Sequence, residues 1–133
     1  FRHWIIDSGE SYYKIHDLYL RFMADRNGAR LLIALRRYKN KNAHWPKSLD
    51  DIKSIVPAET LVDPINNGSF VYKLTEENFT LYSKGKNNID ENGQRTGRKF
   101  DLKTKQFVGK EKDDQLIWPP KTRKTKEENA DDS

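Results

Sequence analysis

Side chains that carry oxygen ligands are concentrated, together with glycines, in the segment 83–93. Asn88, Asp90 and Asn92 match the three alternating acidic or amide positions of a D-x-[DN]-x-[DN]-G loop, and Gly93 matches its glycine. Alternation matters because a tight loop can direct every second side chain toward one hard cation, and calcium takes about six to eight oxygen ligands. The spacing therefore predicts a calcium site, with a polar turn that has Asn-Gly at its tip as the alternative.

The match to this calcium loop is incomplete at two positions. Lys99 stands where the loop supplies its bidentate Glu, and Asn88 replaces the usual first Asp. Calcium affinity depends on the number of charged ligands, so we expect carboxylates from outside the loop to complete the site. Asp113 and Asp114, which precede the last predicted strand, are the candidates.

Histidine chemistry has less support in this sequence. His44 precedes Trp45 and Pro46, but no second histidine lies near it, and His16 lies beside Asp17 in a predicted helix. Glycine-rich phosphate loops, nucleophile elbows and paired-histidine metal motifs do not occur. We therefore predict a non-enzymatic chain without catalytic residues. A hydrolytic or accessory enzyme domain that uses His44 is the alternative.

Composition indicates a small core with a large solvated surface. Of the 133 residues, 35% are hydrophobic and 34% are charged, and the formal net charge is +5. The positive charge lies in 1–56 and 84–112, where acidic residues are interspersed, so we expect a solvated basic surface and no nucleic-acid partner. A nucleic-acid-binding module that uses the basic region 84–112 is the alternative. The absence of cysteine excludes disulfides and thiolate metal sites.

A helical pattern runs from about residue 11 to residue 41. Apolar residues recur there at intervals of three and four, and we interpret them as one apolar face. They are Ile15, Leu18, Tyr19, Phe22, Met23, Leu31, Leu32, Leu35 and Tyr38. Gly28 interrupts the pattern, which indicates either a break into two helices or a close approach to a neighbour. A helix of about 30 residues is about 45 Å long, so we expect part of it to project beyond a small core or to pack on something outside this chain.

A short second helix is predicted after the long one. Ser48 is a suitable N-cap, and Asp51 follows three residues later in the capping-box position. Leu49, Ile52 and Ile55 form the predicted buried side of this helix.

Short antiparallel strands are predicted in the remainder of the chain. Alternating apolar residues in 69–74 and 79–83, joined by a turn-length connection, predict a hairpin. The segments 99–102 and 106–108 predict a second, weaker hairpin, and 115–118 predicts a last strand.

These elements predict an α+β fold in a single domain over residues 1–120. A long N-terminal helix (1–41) packs on a small antiparallel sheet. The sheet and its loops, including the irregular polar loop described above, occupy residues 42–118. The segment 121–133 has almost no apolar residues, so we predict a disordered tail.

Several short motifs occur in a recognisable order. They are Leu32-x-x-Leu35-x-x-Tyr38, Ala-His-Trp-Pro-Lys-Ser-Leu-Asp at 43–50, Val62-Asp63-Pro64, Tyr72, Leu81-Tyr82-Ser83-Lys84-Gly85 and then the polar loop. Over about residues 28–118 the chain resembles the C-terminal domain of the major (G-type) pseudopilin of type II secretion systems. It is most similar to the stand-alone versions of that module in planctomycete-type bacterial proteins.

The resemblance implies a calcium site formed by the polar loop and the acidic residues before the last strand. Carried over by position, its ligands are the Leu81 backbone, Ser83, Asn87, Asp90 and Asp113 or Asp114. The chain departs from the family pattern here. Asn87 and Asn88 stand where the family has Asp-Gly, Glu91 replaces an Asp, and the insertion 94–110 is long and basic. The change at Asn87 removes one charged ligand from the implied site.

The resemblance also implies where and how the protein acts. It implies an extracytoplasmic location, periplasmic or in the cell envelope, and a hydrophobic N-terminal helix before Phe1 that anchors the full-length protein in the membrane. We therefore expect a non-catalytic, pilin-like structural or interaction module. It would bind protein partners through the long helix or a sheet edge, and self-assemble in its full-length form.

Overall fold

A computed structural model describes residues 2–121 of this chain, with side chains from residue 11 onward. Helix α1, Arg2–Asn42, is followed by two 3₁₀ turns, Leu49–Ile52 and Ala58–Leu61. The described residues also form seven short strands: β1 Val71–Leu74, β2 Phe79–Ser83, β3 Arg95–Thr96, β4 Lys99–Asp101, β5 Gln106–Val108, β6 Lys112–Asp113 and β7 Gln115–Trp118. The architecture is α+β, with one long N-terminal helix and a small antiparallel sheet, as the sequence predicts. All but the first residue of the predicted tail lies outside the described residues.

The main sheet has three antiparallel strands in the order β1-β2-β7. β1 and β2 form the first predicted hairpin, with Tyr72 opposite Leu81. β7 pairs with the other edge of β2, where Leu81 lies opposite Trp118. β4 and β5 form the second predicted hairpin. β3 and β6 pair with each other as well, and the sequence does not predict this ladder because two-residue strands are too short for alternation to identify.

The core lies between the C-terminal half of α1 and the main sheet. Its buried apolar side chains are Ala24, Leu31, Ala34, Leu35, Ile52, Phe70, Phe79 and Leu81. Trp45 packs edge-on against Phe79, with ring centroids 4.7 Å apart. The hydroxyl of Tyr72 donates a 2.7 Å hydrogen bond to the carbonyl of Pro46, which fastens the connection after α1 to the sheet. Removal of these apolar side chains from water is the main force that docks the helix on the strands.

Gly28 marks a close approach of α1 to β7, and the helix is continuous through it. A Cβ atom at Gly28 would lie 2.5 Å from Cδ1 of Ile117. The side-chain amide of Gln115 donates to the backbone carbonyl of Arg21 over 3.0 Å and to Asp25 Oδ1 over 2.6 Å. Of the two interpretations of Gly28, the close approach is confirmed.

The prediction of one apolar face along α1 is wrong. Leu31 and Leu35 are fully buried, whereas Leu18 and Phe22 are 67% and 66% exposed. Leu31 lies nine positions after Phe22, which is about two and a half helical turns. The two groups of apolar residues therefore lie on opposite sides of the helix, although each group has helical spacing.

The prediction of a capped second helix is also wrong in its details. The segment is the single 3₁₀ turn Leu49–Ile52, and the Ser48 side chain makes no capping hydrogen bond. Asp51 instead accepts a 2.9 Å hydrogen bond from the backbone N–H of Lys47. Ile52 is buried as predicted, but Ile55 is 49% exposed because the turn ends before a second turn could bring it back to the core.

Candidate metal centre

The ladder between β3 and β6 brings two distant parts of the sequence together. Arg95, just after the polar loop, pairs with Asp113, just before β7. Gly85 has a positive φ of 64°, and a Cβ there would lie 2.6 Å from the Asp113 carboxylate carbon. Only glycine therefore allows the start of the loop to pass this close to Asp113.

Three carboxylates converge where the loop meets β6. One oxygen from each of Glu91, Asp113 and Asp114 lies within 4.8 Å of the others. Asp113 Oδ2 accepts backbone hydrogen bonds from Lys86 at 2.9 Å and from Asn87 at 3.3 Å. The backbone N–H of Asp113 donates a 2.8 Å hydrogen bond to Glu91 Oε2. These bonds hold the cluster in place without neutralising it.

Asp114 is the most enclosed member of the cluster, with no exposed surface. Its Oδ2 accepts hydrogen bonds from the backbone N–H groups of Glu91 at 2.8 Å and Gly93 at 3.0 Å. Burial raises the pKa of this carboxyl above its usual value, and the nearby charges of Glu91 and Asp90 raise it further, against the lowering effect of the two N–H donors. The ionised form of Asp114 is therefore disfavoured by its surroundings.

Two carboxylate oxygens of the cluster are buried without a hydrogen-bond partner. They are Oδ1 of Asp113 and Oδ1 of Asp114. Buried acceptors are normally paired, because an unpaired one loses its hydration without replacement. Within residues 11–121, none of the three carboxylates forms a salt bridge. Unpaired oxygen acceptors with excess negative charge are the donor set that hard cations such as calcium or magnesium take. The residues present therefore fit a hard divalent cation.

Asn87 is the predicted loop residue that lies nearest this chemistry. Its backbone N–H donates to Asp113, as described above, and its side-chain amide donates to Glu91 Oε1 over 3.2 Å. Its own Oδ1 accepts from the backbone N–H of Ile89 over 2.9 Å. The structure thus places Asn87 beside the cluster as a donor to carboxylates.

Asp90 and Asn92, two of the alternating positions, face Lys73 and Tyr82. Asp90 Oδ1 accepts a 2.5 Å hydrogen bond from the Tyr82 hydroxyl, and Oδ2 lies 3.4 Å from Lys73 Nζ. The Tyr82 hydrogen bond is the main cause of the lowered pKa of Asp90. Asn92 Oδ1 accepts from Lys73 Nζ over 2.9 Å. Asn88, the first alternating position, has a left-handed backbone conformation, as Asn92 does. Because these residues turn the chain, the alternating side chains do not point toward one cation.

Ser83 and Leu81 belong to the buried sheet. Ser83 Oγ donates a short hydrogen bond to Oδ2 of Asp63 and accepts one from the backbone N–H of Gly85. Leu81 lies in the central strand, paired on both sides. Of the predicted ligands, the structure therefore brings together Asp113 and Asp114. It adds Glu91, which sequence reasoning missed because Glu91 lies between the alternating positions. The signal in the sequence that could have identified Glu91 is that it is the second acidic residue of the loop.

His44 lies apart from this cluster. Its Nδ1 is 3.0 Å from the carbonyl of Trp45, and its ring packs edge-on against Tyr38. Among the residues whose side chains are described, no hydrogen bond or salt bridge joins His44 to a carboxylate. The arrangement does not pair this imidazole with an acid.

Comparisons with known proteins supply no relative for this chain. No protein-family model, curated protein or solved structure matches it. In the part that the structure describes, no helix is both long and apolar enough to cross a bilayer. The coarse α+β architecture and the carboxylate cluster therefore rest on the structure alone.

Proposed function

We propose that this chain is a non-catalytic, pilin-like structural module that acts outside the cytoplasm and packs through α1 against the same helix of a second copy. The observation that carries this proposal is an exposed apolar stripe on α1, on the side opposite the core. The stripe consists of Ile15, Leu18, Tyr19, Phe22 and Ile33, which are 56% to 67% exposed.

One residue of the stripe, Ile33, lies on the part of α1 that is already packed on the sheet. Ile33 is 56% exposed, while Leu31 and Leu35 on either side of it are fully buried. At about 100° per residue, Ile33 points in nearly the same direction as Ile15 and Phe22. A helix with apolar residues on two opposite sides is suited to lie between two packing partners. The main sheet is one of them.

The shape of the stripe favours another helix as the second partner. Ile15, Leu18 and Phe22 are separated by three and four residues, the spacing of a seam between packed helices. A symmetric pair of copies can use the same patch on both subunits. The resemblance to pseudopilins supports the same conclusion, since it implies self-assembly, an extracytoplasmic location and membrane anchoring in the full-length protein.

We further propose that calcium stabilises this module at Glu91, Asp113 and Asp114. Bound there, the ion would supply positive charge to the two buried oxygens that lack a partner. Its role is structural, because it would join the polar loop to the strand that precedes β7.

The packing proposal is tested by sedimentation equilibrium over a range of protein concentrations. We expect reversible dimers, and Leu18→Glu combined with Phe22→Glu should weaken them at least about tenfold, because two carboxylates would be buried without partners. Tyr13→Glu is the matched control, since Tyr13 is 71% exposed but lies off the stripe. A monomer at every concentration, or equal weakening by Tyr13→Glu, would contradict the proposal.

A further inference from the structure

The hairpin formed by β4 and β5 exposes four apolar side chains. Phe100 and Phe107 are 50% and 65% exposed, Val108 is 46% exposed, and Leu102 in the connecting loop is 83% exposed. The two strands form a separate two-stranded sheet. An isolated two-stranded hairpin is marginally stable in water. Packing of its exposed apolar side chains against a partner would stabilise it.

The aromatic residues of this hairpin share one face. Phe100 lies directly opposite Phe107 in the strand register, and the two rings contact edge to face with centroids 5.2 Å apart. Leu102 follows β4 directly, in the turn that connects the two strands. The hairpin therefore exposes an aliphatic side chain in its turn and an aromatic pair on its strands.

Cations flank the apolar residues of this hairpin in the sequence. The segment 98–110 contains Arg98, Lys99, Lys103, Lys105 and Lys110, against the single acid Asp101. Asp101 accepts a 2.9 Å hydrogen bond from the backbone N–H of Lys103. In the described part of the chain, none of the five cations forms a salt bridge. The hairpin thus combines an apolar tip with uncompensated positive charge.

We propose that this hairpin is a membrane-docking element that inserts Leu102, Phe100 and Phe107 into the interfacial region of an anionic lipid bilayer. Aromatic and aliphatic side chains at this depth contribute apolar burial, and neighbouring lysines extend toward lipid phosphates. Each cation near an anionic surface adds attraction. This contact is additional to the N-terminal anchor that the resemblance implies.

The charge and ring geometry favour an anionic membrane over two other partners. A second copy of this chain carries the same positive hairpin and a formal charge of +5, so the two hairpins would repel each other. A single-stranded nucleic acid needs aromatic faces on which bases stack. Phe100 and Phe107 instead pack edge to face at 67°, and the most exposed side chain is the aliphatic Leu102.

A labelled variant tests insertion directly. The chain contains no cysteine, so Leu102→Cys accepts one polarity-sensitive fluorophore, and Ile55→Cys at another exposed site serves as the control. We expect a blue shift of the label at 102 with vesicles of phosphatidylglycerol and phosphatidylcholine in equal parts, and no shift with phosphatidylcholine alone. The label at 55 should not shift with either. An unshifted label at 102 on bound protein would overturn insertion.

Unlabelled variants test which residues bind. In vesicle flotation, Leu102→Ser with Phe107→Ser should weaken binding to the anionic vesicles about tenfold, and so should Lys103→Gln with Lys105→Gln. Ile55→Ser should bind as the unchanged chain does. The proposal is overturned if neutral and anionic vesicles bind equally, if neither binds, or if a single-stranded oligonucleotide competes for the hairpin and shifts the label at 102.

Discussion

Two buried aspartates in this protein differ in how completely their oxygens are paired. Asp63 is fully buried, and it accepts hydrogen bonds from the backbone of Ile65, the Asn66 amide and the Ser83 hydroxyl. Asp114 is equally buried, but its Oδ1 has no partner. Full pairing identifies Asp63 as a residue that stabilises the fold. The free oxygen of Asp114 is the reason to expect a ligand there.

Calcium should stabilise this protein through Asp114. Calcium at about 100 times its dissociation constant should stabilise the folded state by about 2.7 kcal/mol, seen as a rise in melting temperature that chelator reverses. Asp114→Asn should abolish this rise, because the amide removes charge and places a donor where Oδ1 lies. It should leave calcium-free stability unchanged or higher, because the amide oxygen can still accept from Glu91 and Gly93.

Ser83→Ala is the control for this prediction. It should lower stability by about 1–3 kcal/mol, because it leaves the buried Asp63 short of one donor. The rise in melting temperature with calcium should persist. A calcium response that survives Asp114→Asn, or that disappears in Ser83→Ala, would show that the ion binds elsewhere.

The raised pKa of Asp114 predicts a pH dependence. The folded protein holds this proton at a higher pH than the unfolded chain, whose carboxyl titrates near its usual value of 3.8. The contribution of Asp114 to the free energy of unfolding should therefore fall as pH rises from that value through the raised pKa. Urea unfolding in calcium-free buffer, compared with Asp114→Asn, measures this contribution. Calcium binds the ionised form, so excess calcium should reverse the slope.

At the scale of elements, the contact between α1 and β7 depends on the absence of a side chain at Gly28. Gly28→Leu should lower the free energy of unfolding by about 1–3 kcal/mol through overpacking against Ile117, even though leucine favours helices. Arg30→Leu, at an exposed position of the same helix, should change it by less than about 0.5 kcal/mol. Equal effects in urea unfolding would show that the helix does not approach β7 this closely.

The turns within the polar loop determine where its alternating side chains point. Its turns are formed by side chains that bond to the backbone two residues later, as Asn87 does with Ile89 and Asp90 with Asn92. The Asp90 carboxylate is also directed toward Tyr82 and Lys73, on a different side from the carboxylate cluster. The carboxylates that do converge come from Glu91 and from the β6 segment, which the β3–β6 ladder holds against the loop.

At the scale of the whole molecule, α1 is longer than the core that supports it. Its 41 residues correspond to about 62 Å of helix, and the buried helical core residues begin at Ala24. We predict that amides in 11–23 exchange hydrogen faster than those in 24–38 at dilute concentration, because few buried contacts oppose local opening. Hydrogen-exchange mass spectrometry measures this. Protection of 11–23 should rise with protein concentration as helices pair, and uniform protection at dilution would contradict the prediction.

The sequence alone determined the local elements of this protein. Alternating apolar residues identified the hairpin of β1 and β2, and helical spacing identified α1, because these periodicities follow from backbone geometry. The second hairpin and β7 were also predicted, as short strand segments. The sequence also placed the acidic residues Asp113 and Asp114 among the candidates for a metal. The hairpins, β7 and α1 are each formed by residues that are close in the chain, whereas the metal candidates stay a prediction.

Tertiary structure decided which residues meet and which remain exposed. Leu18 and Leu31 have the same chemistry, yet one is exposed and the other buried, because the sheet covers only one side of the helix. Likewise, Asp90 and Glu91 are adjacent in sequence, but only Glu91 joins Asp113 and Asp114. The position of β6 determines that choice. Such contacts join distant parts of the chain, and local periodicity carries no information about them.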